Sequence, residues 1–424
     1  MINGQLMNRY AVASARGLIE SGVFLYFLLM LVVPSGYSYG SALLLIGAVV
    51  ALCVCRQQSW SSRDSIVGLS LVVFGLVWIA SVLWHGDSSR EMDRGSRFIF
   101  AAVIAAGLLR LPPRVAFYQW GLALGGIAVG FWAVWQSGQG ASRVGGYTNT
   151  IQFGNLALMI GVICFATYSL SAPTKARTLK LGLLVAGVLA LLGSLLSGSR
   201  GGWVALPFFA LLFGWFYLSQ PSRSKHVLMV AGFGLVMAVI VAVIAGPAVH
   251  DRVDRAVSEF HDYREGERVA TSVGLRLLMW GAASDLILEA PLTGWGEAGY
   301  KERVGVLVEQ GVHPEVIENY GHPHNEFLNI WAKKGVFGVL SLLLLYGAPL
   351  ALFGRSIGHH DRVIASLGLS GALLVTGFVV FGLTQTFFAH NSGVMGYSVM
   401  VALLWSMMRH RERTLDSQRR NARG

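Results

Sequence analysis

Gly321-His322-Pro323-His324-Asn325-Glu326-Phe327-Leu328-Asn329-Ile330-Trp331 marks the point where a long polar segment passes into an apolar one. Downstream the chain stays apolar to residue 354, while residues 249–326 upstream hold most of its acidic side chains. A helix needs about 20 apolar residues to cross the hydrocarbon of a bilayer, and the run 327–354 has that length. The boundary therefore reads as the mouth of a membrane-spanning helix. It carries two of the 11 histidines, His322 and His324. A titratable group at such a mouth can meet a lipid-borne molecule from one side and water from the other.

Working outward, the same length criterion finds further spans near 17–34, 37–55, 65–85, 97–111, 115–136, 151–171, 179–197, 203–219, 226–248, 363–388 and 392–408. With 54% hydrophobic and 13% charged residues, an ordinary soluble protein is excluded, since its charged share is about a quarter. The sequence predicts an all-α polytopic membrane protein with about 12 transmembrane helices and one large external loop that itself contains helices. Its divisions are 1–248 (nine spans), 249–326 (the loop), 327–408 (three spans) and 409–424 (a basic tail). With the N-terminus cytoplasmic, Lys and Arg gather on the inner side, and only Arg90, Arg94, Arg97, Arg143 and Arg200 fall in short outer loops. Both termini are then cytoplasmic.

The net charge of +11 lacks the aromatic-interleaved basic patch of a nucleic-acid binder, and membrane topology accounts for it instead. The tail after His410 reads as disordered, touching at most anionic lipid. Cys53, Cys55 and Cys164 sit in apolar runs and indicate neither a disulfide framework nor a metal site. The first apolar run follows Arg9 and Arg16 but lacks a small-residue cleavage pattern, so it reads as an uncleaved span. In the loop, residues 251–272 read as a charged surface helix. Residues 274–289 place Leu275, Leu278, Met279, Ala282 and Leu286 on one stripe, an amphipathic helix against the membrane domain, stopped by Pro291 and Gly294-Trp295-Gly296.

Apart from Glu20, the spans read as free of mid-membrane charge, which counts against an ion-coupled transporter. Polar chemistry gathers at the outer helix ends. Arg200, in Gly198-Ser199-Arg200-Gly201-Gly202, has small neighbours that let its guanidinium and adjacent backbone N–H groups approach one anion; the alternative is a snorkelling interface arginine. Arg276 lies among leucines with Trp280 one turn on, a setting that demands an anionic partner, either a carboxylate of the loop or a ligand phosphate. With Pro323 as first helical residue, His324 falls in the first turn, where the helix dipole favours a neutral ring able to accept a proton, while Glu326 pulls the other way. His322 is a weaker candidate for the same duty, and Asn325 stands beside the pair. No companion carboxylate pair lies on that side, so no metal is expected.

A Ser-Arg-Gly-Gly motif at Ser199–Gly202, one large external loop before the tenth span, and His322-x-His324-Asn325-x-x-Leu328 followed by Gly335 and Gly338 resemble, in that order, the O-antigen ligase and polymerase superfamily. The resemblance implies an inverting, metal-independent GT-C type glycosyltransferase without cofactor, in the bacterial inner membrane with its site facing the periplasm. Its donor would be an undecaprenyl diphosphate-linked glycan and its acceptor a sugar hydroxyl of lipid A-core. Arg200 and Arg276 would hold the diphosphate, and His324 would be the general base, supported by His322, Asn325 and Trp280. An O-antigen polymerase, a protein O-oligosaccharyltransferase and a lipid-linked glycan transporter without covalent chemistry stay open. So do the roles of Arg90, Arg94, Arg97 and Arg143.

Overall fold

The computed structural model describes residues 2–56, 60–168, 170, 177–219 and 272–422. Thirteen helices follow one another among them: α1 (Ile2–Leu29), α2 (Gly36–Val54), α3 (Ser62–His85), α4 (Met92–Arg110), α5 (Val115–Gly138), α6 (Thr150–Tyr168), α7 (Arg177–Leu196), α8 (Leu206–Leu218), α9 (Ser272–Glu289), α10 (Gly296–Glu309), α11 (Glu326–Gly354), α12 (Arg362–Gly382) and α13 (Asn391–Asn421). Short 3₁₀ turns lie at Ser89–Glu91, Gly201–Ala205 and Glu315–Asn319, and the described residues contain no strand. Nine helices among the described residues are long and apolar enough to cross a membrane, and the protein is an all-α polytopic membrane protein. α4 and α13 also occupy expected span positions, but α4 opens on Asp93, Arg94 and Arg97. The expected span 226–248 and surface helix 251–272 lie outside the described residues.

The centre of the bundle is formed by helices that are apolar all round. Every residue from Gln152 to Cys164 of α6 is buried, as are most of α12 and α13 from Ser392 to Arg409. A helix without a polar face is stable only when other helices surround it. Close approach between helices uses small residues: a Cβ on Gly40 of α2 would stand 2.3 Å from the Tyr26 backbone nitrogen of α1.

The basic tail departs from expectation. α13 continues as helix to Asn421 because its arginines find partners at other helix ends. Asp64, which closes the capping box of α3, pairs with Arg409 at 2.8 Å and Arg413 at 2.9 Å, and Asp361, the N-cap of α12, pairs with Arg411 at 2.7 Å.

α9 buries Leu278, Met279, Ala282 and Leu286 as the stripe requires, against α10, the Glu315–Asn319 turn and Ala332 of α11. α11 covers the span expected over 327–354, but it is not one straight helix. It breaks at Gly335, whose φ of 63° and ψ of −164° no other residue adopts readily. The loop after α9 fills the break: Val336 N–H donates to Pro291 O at 2.9 Å, and Trp295 N–H donates to Ala332 O at 3.0 Å. The short first piece of α11 is thereby locked onto the α9–α10 unit.

Candidate functional site

Residues 321–324 form a loop fixed from four directions. Lys333 Nζ donates to Gly321 O at 2.9 Å, and Trp280 Nε1 donates to Pro323 O at 2.9 Å. Asn325 Nδ2 reaches Leu383 O at 3.4 Å, and the His324 ring meets Gln385. The helix starts later than expected. Asn325 is the N-cap of α11, its side chain accepting from the N–H groups of Phe327 and Leu328. Pro323 is therefore not the first helical residue, and His324 stands just before the helix with a left-handed φ of 51°. Such a backbone in a non-glycine residue costs on the order of 1 kcal/mol and persists where its surroundings enforce it.

His324 Nδ1 lies 2.5 Å from Gln385 Oε1. An amide oxygen only accepts, so Nδ1 carries the proton and Nε2 keeps its lone pair. The ring does stay neutral more readily than an ordinary histidine, but not through the helix dipole. Burial lowers its pKa first, the bond to Gln385 opposes this, and the charge of Arg276 lowers it further. Glu326 takes no part: fully buried, it turns into the bundle and accepts from Phe388 N–H at 2.8 Å. His322 packs edge-to-face on His324, ring centroids 4.4 Å apart. Its Nδ1 accepts from the His324 backbone N–H at 3.4 Å. Burial, with the charges of His324, Lys333 and His390, takes its pKa down to about 3.

Arg276, half-buried on α9, is brought within charge range of His324. Burial alone lowers its pKa, and among the described residues no carboxylate pairs with it. Trp280, one turn later, is the residue that ties α9 to the His324 loop. Arg200 is exposed at the start of the Gly201–Ala205 turn. That turn lies against the one carrying Gln385: a Cβ on Gly201 would stand 2.6 Å from Thr384 Oγ1. Arg143 joins the same loop by donating from Nε to Ser197 O at 3.1 Å. Arg200 thus reaches the same end of the bundle as His324 and Arg276.

The O-antigen ligase family matches residues 185–343, a span that contains Arg200, Arg276 and His324. Over that span the chain is similar to the O-antigen ligase family. A Haemophilus influenzae protein of uncharacterised function is 26% identical over 388 residues, covering 90% of this chain and 96% of its own length. An O-antigen ligase of Escherichia coli is 25% identical over 206 residues, 47% of this chain and 45% of that ligase. That similarity supports an O-antigen ligase or polymerase type of function.

Two features of this site escaped the sequence reading. Gln385 was absorbed into an expected span over 363–388, but α12 ends at Gly382 and the polar run Thr384-Gln385-Thr386 belongs to the turn that meets His324. Those three consecutive polar residues were the available signal. Lys333 and Lys334 also correct the expectation of charge-free spans. Both are buried in the first piece of α11, where they meet Glu297 of α10 at 2.6 and 3.5 Å. Burial pushes the Glu297 carboxyl up, but the two lysines outweigh it and hold it down at about 2. Of the other outer arginines, Arg94 pairs with Glu91, and Arg97 with Asp93 at 2.9 Å.

Proposed function

We propose that the protein is an O-antigen ligase that transfers polysaccharide from undecaprenyl diphosphate to a sugar hydroxyl of lipid A-core. The observation that carries this reading is a neutral imidazole with a fixed tautomer, on an enforced loop, within charge range of a guanidinium that no described carboxylate neutralises. His324 Nε2 takes the proton of the acceptor hydroxyl as its oxygen attacks the anomeric carbon. The bond from that carbon to the phosphate oxygen breaks on the opposite face, so the configuration inverts. The electron pair leaves with undecaprenyl diphosphate, whose charge Arg200 and Arg276 stabilise. A diphosphate leaves as an anion, so no general acid is needed. Residues 249–326 form the periplasmic loop, both termini are cytoplasmic, and the reaction takes place at the periplasmic face of the inner membrane.

The test is transfer from a lipid-linked glycan to purified lipid A-core by the purified protein, with a peptide and a second lipid-linked glycan as competing acceptors. Lipid A-core is expected to receive the glycan, and His324→Ala to abolish transfer while donor binding persists. Full activity in that variant would remove His324 as the base. Preferential transfer to the second lipid-linked glycan would make the protein a polymerase.

A further inference from the structure

Beside the His324 loop, on the far side of the turn between α12 and α13, lies a cavity of about 300 Å³ lined by Arg94, Tyr147, Asn149, Gln152, His390 and Ser392, among others. This is the lower end of the size range of small-molecule sites. Gln152 is 0% exposed, and neither its amide oxygen nor its amide nitrogen has a partner among the described residues. A buried amide left unpaired on both ends is destabilising, so it stands to gain from a hydroxyl-bearing ligand. The remaining polar groups suit the same chemistry. Asn149 Nδ2 donates to His390 Nε2 at 3.2 Å, and the Tyr147 ring packs at 5.2 Å from Trp132 and is half exposed. The wall's guanidinium, Arg94, is already engaged by Glu91, so the cavity is not built for a diphosphate.

One short turn joins this cavity to the proposed base. Gln385 holds the His324 ring, Phe388 N–H is fixed by Glu326, and His390 lines the cavity, all within six residues. His390 and His324 also lie within charge range of each other. We infer that this cavity is the subsite for a sugar ring of the acceptor glycan, holding it by Gln152, Asn149 and the Tyr147 face so that a hydroxyl of that glycan is presented to His324. The inference rests on the transferase reading of the same site.

The experiment uses the full-length protein in nanodiscs, with Tyr147→Ala at the exposed rim and Gln152→Leu in the buried wall. Thermal melting identifies any variant that unfolds, and Tyr147→Ala carries the test should Gln152→Leu do so. Loss of one hydrogen-bonding or ring contact should raise acceptor KM about tenfold, the equivalent of ~1.4 kcal/mol, while donor KM changes less than about twofold. A rise in donor KM instead would assign the cavity to the donor glycan and overturn the inference, as would unchanged acceptor KM in a folded variant. Binding of the free core oligosaccharide to His324→Ala protein, read by saturation-transfer NMR, separates this from the function itself. Saturation lost on Tyr147→Ala supports the subsite. Binding to wild type without any transfer would refute the transferase reading while leaving the cavity a glycan site.

Discussion

Gln385 separates a catalytic His324 from a structural one, because two substitutions there should move the ring in opposite directions. The side chain is 2% exposed, so its bond to Nδ1 is not screened by water. Gln385→Glu replaces a neutral acceptor by an ionised one. A neutral bond contributes about 0.5–1.5 kcal/mol and a charged one about 1.5–3, so the imidazolium gains about 1–2 kcal/mol. At a pH on the acid limb of the rate profile the neutral, basic form is then depleted roughly tenfold, each 1.4 kcal/mol being tenfold. Gln385→Leu removes the bond, and with it the one influence that raises the pKa of His324. Its acid limb should move to lower pH, and its plateau rate should fall about twofold or more because both tautomers become accessible. The assay is transfer from the lipid-linked glycan to lipid A-core across the acid limb, with melting temperature as a check on folding. Acid limbs that coincide with wild type in both folded variants would refute the assignment of His324 as the base.

Four further outcomes follow from the same geometry. Arg276→Ala and Arg200→Ala should each weaken binding of undecaprenyl diphosphate by about tenfold or more, the worth of a charge-assisted contact of ~1.5–3 kcal/mol; donor titration that finds neither weakened removes them from the diphosphate site. Glu297→Gln leaves Lys333 and Lys334 buried without a counter-charge and should destabilise the protein by about 3–5 kcal/mol. In the wild type the Glu297 carboxyl lies below its ordinary value of 4.5, so its contribution is fully present above that pH and is lost as pH falls through about 2; a melting temperature flat over that window argues against the ion pairs. Gly335→Ala would place a Cβ 2.0 Å from Leu292 O at a φ of 63°, and a loss of about 1–3 kcal/mol is expected in thermal melts. Transfer should survive EDTA, and activity restored only by a divalent cation would assign the step to a metal.

The sequence disclosed what depends on period and length, and missed what depends on where a turn lies against its neighbours. α9 was legible because Leu278, Met279, Ala282 and Leu286 repeat at helical spacing and one face had to be buried. His324 and Arg276 were legible because a polar group in an apolar frame must have a purpose or a partner. The first turn of α11 was misread because Pro323 and Asn325 both signal a helix start, and only the bonds from Asn325 to Phe327 and Leu328 decide between them. Lys333 and Lys334 were hidden by the apolar run around them. Their partner Glu297 lies 36 residues from Lys333, and Gly335 divides the run into two pieces by a backbone angle that hydropathy does not encode. Gln385 was hidden for a related reason. A polar side chain at the end of a span looks like an ordinary interfacial residue until the chain returns 61 positions away to place His324 upon it. The proposed base of this site is therefore specified locally, by its imidazole at a helix mouth, but its tautomer, and so its capacity to accept a proton, is specified only by the fold.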